Sequence, residues 1–171
     1  MLQSQLLAKT VQLAPGAHVL FLNSATDPFV PVAAHRIPAG SITLAEDNIS
    51  ALHTALRGIP TLRHVAFHEY TSCEPAATMD CAILNMLYQP GNAWIHYGIA
   101  LAAYALKPGG YLYVVGAKDR GILTIARRMQ ERFGNVETLE IHKGSRVVRS
   151  QQRATPPAET IPTADDLLCA V

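Results

Sequence analysis

The side chains of this 171-residue chain that could do chemistry stand where apolar runs give way to loops. Glu46 and Asp47 follow the run Ser41 to Ala45. A carboxylate in such a place can accept two hydrogen bonds at once. It equally suits the first turn of a following helix, where the dipole favours an acid. Glu69 closes a third run, His64 to His68. Asn85 and Tyr88 come after Met79 to Leu84. Such an asparagine can bond its own loop backbone, and the phenol offers a face for stacking. The loop Asn23-Ser24-Ala25-Thr26-Asp27 follows His18 to Leu22, where a nucleotide-binding α/β protein carries a glycine-rich turn. Here it holds no glycine.

Two further constellations lead elsewhere. His64 and His68 sit four apart on one predicted strand, too far separated to chelate directly, and Cys73 supplies no third ligand, so no metal site is predicted. Gly116-Ala117-Lys118-Asp119-Arg120-Gly121 precedes a predicted helix, where backbone N–H groups can hold an anion. It lacks the Gly-Lys-Ser/Thr of a phosphate-binding loop and is read as loop punctuation.

The elements that must position these residues follow from periodicity and punctuation. Leu2 to Leu13 predicts a helix, stopped by Ala14-Pro15-Gly16. Strands are expected at His18–Leu22, Ser41–Ala45, His64–His68, Met79–Leu84 and Tyr111–Val115. Helices are expected at Phe29–His35, at 49–56 behind a cap at Asn48 or Ser50, at Asn92–Leu106 and at Gly121–Phe133. Val136–Ile141 and Ser145–Ser150, joined by Lys143-Gly144, predict an antiparallel hairpin. Alternating strands and helices imply a doubly wound α/β fold: seven strands, mostly parallel, closed by that hairpin. The helix Asn92–Leu106 carries Ile95, Ile99, Ala102 and Leu106 on one face and Trp94, Tyr97, Leu101 and Tyr104 on another. It must be covered on both, by the N-terminal helix or by a second copy in a homodimer.

Length fits one domain, drawn as residues 1–153 with a Pro-rich tail at 154–171. Apolar residues make up 49% and charged residues 16%, which excludes global disorder. A formal net charge of +1 offers no basic field for nucleic acid, and Arg127, Arg128 and Arg132 read as a solvated helix face. Three cysteines without metal spacing fit a reducing compartment. Neither a signal peptide pattern nor an apolar run of about 18 residues is present, so no membrane association and a cytoplasmic location are expected.

From about Asp80 to Arg149 the chain resembles the small-domain family of class I S-adenosylmethionine-dependent methyltransferases, which includes enzymes methylating the exocyclic amine of guanine in ribosomal RNA. Asp80-Cys81-Ala82-Ile83-Leu84-Asn85-Met86-Leu87-Tyr88 is similar to the fourth-strand motif, an acid, an apolar strand and then Asn-Pro-Pro-Tyr/Phe. Leu106-Lys107-Pro108-Gly109-Gly110-Tyr111-Leu112 resembles the turn into strand five. Phe133-Gly134 and Lys143-Gly144-Ser145-Arg146-Val147-Val148-Arg149 resemble the closing hairpin.

The resemblance implies S-adenosylmethionine as cofactor and methyl transfer to a nitrogen, on RNA or a small molecule. It implies that Glu46, with Asp47 beside it, holds the ribose hydroxyls and that Glu69 meets the adenine edge. The loop of Asn23, Ser24 and Ala25 would then face the methionine portion. Asn85 would position the attacking amine and Tyr88 would stack on its ring. The chain departs from the pattern twice. Phe21, Asn23, Ala25 and Asp27 replace the acid and the glycines of the first loop, and Met86 and Leu87 replace both prolines. Those departures favour a second hypothesis, a catalytically inactive binding or dimerisation module on the same scaffold.

Overall fold

Apolar strands separated by amphipathic helices bury both faces when the helices divide over the two sides of a parallel sheet. The computed structural model, which describes residues 2–154 and 161–170, is built this way. Its strands are β1 (His18–Leu22), β2 (Ser41–Ala45), β3 (Arg63–Val65), β4 (Met79–Asn85), β5 (Leu106–Ala117), β6 (Glu137–His142) and β7 (Ser145–Gln151). They lie in the order β3-β2-β1-β4-β5-β7-β6. The first five are parallel, and β7 is antiparallel to both β5 and β6.

Side chains alternate across the sheet, and β1 shows the consequence. Val19 and Phe21 face the layer of α1 (Leu2–Thr10), α2 (Phe29–Arg36) and α3 (Ile49–Gly58). Leu20 and Leu22 face the layer of α4 (Tyr70–Cys73), α5 (Asn92–Ala105), α6 (Ile122–Phe133) and α7 (Ala164–Ala170). Local chemistry sets the boundaries. Asn48 caps α3 by accepting the Ala51 N–H at 3.0 Å, a contact of about 1 kcal/mol. The β6–β7 turn needs left-handed backbone at both central residues, and Lys143 (φ 48°) with Gly144 (φ 79°) supplies it.

The structure departs from these expectations in five places. The first helix stops at Thr10, whose hydroxyl folds back on Leu6 O, and not at Leu13. The third strand ends at Val65 instead of running to His68: Phe67 and Tyr70 are both fully buried, and reaching the core turns the chain into a 3-10 turn (Phe67–Glu69) and α4. His64 and His68 therefore do not share a strand face. Strand five begins at Leu106, five residues early. Its register jumps from Met79↔Leu106 to Cys81↔Tyr111, so the Lys107–Gly110 turn is a bulge within the strand.

The fourth departure concerns α5. Tyr97 and Leu101 are buried, as is Tyr104, but the cover comes from α6, α4 and α7, while α1 packs on α2, β5 and β7. Residues 164–170 of the expected tail form α7, and Leu167 enters the core beside α5. Residues 155–160 of that tail lie outside the described residues.

The sheet ends in weak edges. β3 is three residues long. β6 carries Glu137, Glu140 and His142 and is interrupted by a bulge between Thr138 and Glu140. The Arg149 Nε–H donates to Glu137 Oε1 at 2.7 Å, and its guanidinium lies 4.2 Å from the Tyr111 ring centre.

Candidate functional site

The strand order reverses between β1 and β4: β1 leads into α2 on one face and β4 leads towards α5 on the other. In open α/β sheets the crevice above the carboxyl ends of such a pair is where ligands bind. Every sequence-predicted site residue except Glu69 lies at this crest, and the structure stitches most of them to one another.

Asn23 follows β1 with φ 47°, the left-handed conformation an asparagine tolerates without glycine. Its N–H donates to Ala45 O at 2.8 Å, and its Oδ1 accepts the Asp47 N–H at 3.3 Å. The Ser24 hydroxyl donates to Leu22 O at 2.9 Å and accepts the Asn85 N–H at 3.2 Å. The Ala25 N–H donates to Glu46 Oε1 at 3.1 Å, and the Asn48 N–H donates to Glu46 Oε2 at 3.2 Å. Glu46 is thus a brace between two loops, and both its oxygens are engaged.

Burial pushes the Glu46 carboxyl above its ordinary value of 4.5, with the Asp47 charge adding, although the backbone N–H bonds pull the other way. The sign of the linkage follows. The contribution of protonated Glu46 is fully present below 4.5 and is lost as pH rises through the raised folded value. The melting temperature of the wild type relative to Glu46→Ala is expected to fall between pH 4.5 and neutrality. A difference that widens over that range would refute it.

Asp47 points away from Glu46. Its Oδ1 lies 2.7 Å from His68 Nδ1 and accepts the His68 N–H at 3.3 Å, tying the crest to the turn after β3. Glu69 is 58% exposed, and its Oε1 stands 3.6 Å from His68 Nε2.

Asn85 is fully buried. Its Nδ2 donates to Asp27 Oδ2 at 2.9 Å, and its Oδ1 accepts the Leu87 N–H at 3.0 Å. Asp27, 1% exposed, takes the Phe29 N–H on its other oxygen at 2.8 Å. Asp27 therefore serves as both the partner of Asn85 and the entry cap of α2. Tyr88 is half-buried; burial and the nearby Asp27 carboxylate push its phenol up.

Two clefts open beside these residues. The smaller, about 140 Å³, is lined by Glu46, Asp47 and Tyr88, with Thr26, Asn48 and Trp94 among its other walls. The larger, about 450 Å³, lies over the ends of β4 and β5 between Met86, Gln89, Asn92, Gly116 and Arg120. Binding clefts for small ligands usually measure about 300–1,000 Å³. Only the larger cleft falls in that range; the smaller one, with the Glu46 and Asp47 carboxylates in its wall, does not have room for a whole nucleoside.

Sequence reasoning missed Gln89, which lines the larger cleft. Its amide reaches the carboxyl ends of both β1 and β4. A polar residue one place beyond the motif carries no signal of that reach. Trp94, expected as a helix face, also turns to the smaller cleft. Among the described residues no cluster of three or more His, Cys, Asp or Glu could hold a metal, and no helix is long and apolar enough to cross a membrane.

This seven-stranded sheet, with its order 3-2-1-4-5-7-6 and antiparallel β7, is the class I methyltransferase fold. It is similar to the T. thermophilus 16S rRNA guanine-N2 methyltransferase RsmC, solved with AdoMet and guanosine (TM-score 0.75, 22% identity, 95% of this chain and 41% of that one). It is also similar to the S-adenosylmethionine-dependent methyltransferase SibL in its apo form (TM-score 0.65, 18% identity, 88% and 56%). A predicted O-methyltransferase from Agrobacterium tumefaciens aligns as well (TM-score 0.71, 17% identity, 89% and 81%). The chain spans about half the length of the first two. No family model matches the sequence.

Proposed function

We propose that this chain is a methyltransferase-fold binding module whose own transfer site is closed. The observation that supports it is the state of Asn85. For that residue to position an attacking amine, its carbonyl must face the acceptor. Instead the side chain is fully buried, with the amide on Asp27 and the carbonyl on Leu87. Met86 and Leu87 take the place of two prolines, so the backbone here is held by hydrogen bonds, the Gln89 N–H to Met86 O at 3.2 Å among them, and not by fixed pyrrolidine rings. The 450 Å³ cleft is then the surface left for a ligand, with Asn92 and Arg120 as polar groups beside the exposed Leu87.

A second reading keeps S-adenosylmethionine-dependent transfer to a nitrogen, on RNA or a small molecule. Glu46 favours it, being a carboxylate directly after β2 at the mouth of the smaller cleft. Calorimetry with S-adenosylmethionine and S-adenosylhomocysteine separates the two. The closed module is expected to give no binding heat at millimolar ligand and at two temperatures. Micromolar affinity would overturn it and establish the cofactor site.

A further inference from the structure

Away from the crest, α5 and α6 part to form a third cleft of about 280 Å³. His96, Ile99 and Ala100 line it from α5, and Arg128, Glu131 and Arg132 line it from α6. It shares no lining residue with either crest cleft. Residues four apart on a helix lie one above the other. Arg128 and Arg132 therefore stack along one wall, beside the buried Ile125, Met129 and Phe133, and His96 and Ala100 stack along the other. Ile99, 4% exposed, is the buried apolar part of the lining.

The arginines of α6 do not form one solvated face. Arg128 is exposed, but Arg132 is half-buried, and so is His96 on the other wall. Basic groups gathered in this way work against one another. Burial lowers the pKa of the His96 imidazole, with the Arg128 charge adding, and burial also lowers that of the Arg132 guanidinium. Among the described residues of the lining Glu131 is the one carboxylate, and it is exposed. An anion between the walls would relieve these costs. A guanidinium has five N–H donors in a fork suited to phosphate, enough to serve more than one partner, and a neutral imidazole still donates one N–H. Three donor groups match the three acceptor oxygens of a phosphate monoester, where a carboxylate has two.

We propose that the α5–α6 cleft binds an organic phosphate monoester, its oxygens held by Arg128, Arg132 and His96 and its apolar body resting on Ile99 and Ala100. The cleft is close to the lower bound of about 300 Å³ for small-ligand sites, which suits a phosphate bearing one ring or a short chain. The site stands whether or not a cofactor binds at the crest.

Phenyl phosphate is the probe, titrated calorimetrically into the full chain in phosphate-free buffer. The wild type is expected to bind it with sub-millimolar affinity, and inorganic phosphate and benzoate at least about tenfold more weakly. Absence of phenyl phosphate binding would overturn the site. Equal affinity for inorganic phosphate would overturn the apolar subsite, and equal affinity for benzoate would overturn phosphate as the ligand class. Two exposed positions should respond with opposite signs. Arg128→Gln is expected to bind at least about tenfold more weakly. Glu131→Gln, which removes the carboxylate, is expected to bind about threefold more tightly. Unchanged affinity in both variants, with wild-type melting, would overturn the placement of the anion. A measurement on the wild type covers a variant that does not fold: the His96 ring signals should move in NMR spectra as phenyl phosphate is added, and static signals would overturn the proposal.

Discussion

A Gly40→Ala protein is expected to lose about 3 kcal/mol of stability and to melt roughly 10 °C lower. Gly40 precedes β2 in the turn from α2, and the added methyl would lie 1.9 Å from the backbone oxygen of Ala17. That oxygen cannot move cheaply, because it accepts the Ser41 N–H at 3.1 Å, at the start of the β1–β2 pairing. The neighbouring Ala39 N–H donates to Pro15 O at 3.0 Å, so the two turns are pinned together on either side of the contact. Relief of the overlap would have to come from the ladder itself. Gly16→Ala is the matched control: no atom lies within 4 Å of its added methyl, and a change within about 0.5 kcal/mol is expected. Equal melting of the two variants would refute the close approach.

Asp27→Ala is expected to cost about 4 kcal/mol, because it strips the partner from two donors at once. The Phe29 N–H and Asn85 Nδ2 would both remain buried, and each orphaned group costs about 1–3 kcal/mol. The decisive measurement is a double-mutant cycle with Asn85→Ala. A coupling energy above about 1 kcal/mol would establish the pair as a lock within the crest. Additive losses would show that Asn85 is not held by Asp27, and the support it lends to a closed transfer site would go.

The sheet was legible in the sequence because each internal strand is a short apolar run, and burial on both faces leaves no other way to use it. β1, β2 and α3 fall where periodicity and the Asn48 cap place them. Strand three was overextended, since Phe67 reads equally well as a strand residue or as a core anchor at the end of a turn. The bulge in β5 was hidden because Lys107-Pro108-Gly109-Gly110 has the composition of a turn, and only the register with β4 shows the pairing resuming.

At the crest, the sequence places Asn23, Glu46, Asp47, Asn85 and Tyr88 at neighbouring strand ends without showing their hydrogen bonds. Asp27 is a plausible cap on composition, but its second oxygen meets Asn85 across 58 residues of chain. Gln89 reaches back 67 residues to Leu22. Contacts of that span belong to the topology and leave no local pattern.

The edges of the sheet limit how the protein can associate. One border is the three-residue β3, and the other is the bulged β6 with its acidic side chains. Short, irregular and charged borders are the devices by which sheets resist pairing with a foreign strand. Fibre-like growth by strand addition finds no long flat template at either side. Pairing with a strand from another chain is thereby disfavoured at both borders of the sheet, and the backbone hydrogen-bonding groups of its interior strands stay committed to one another.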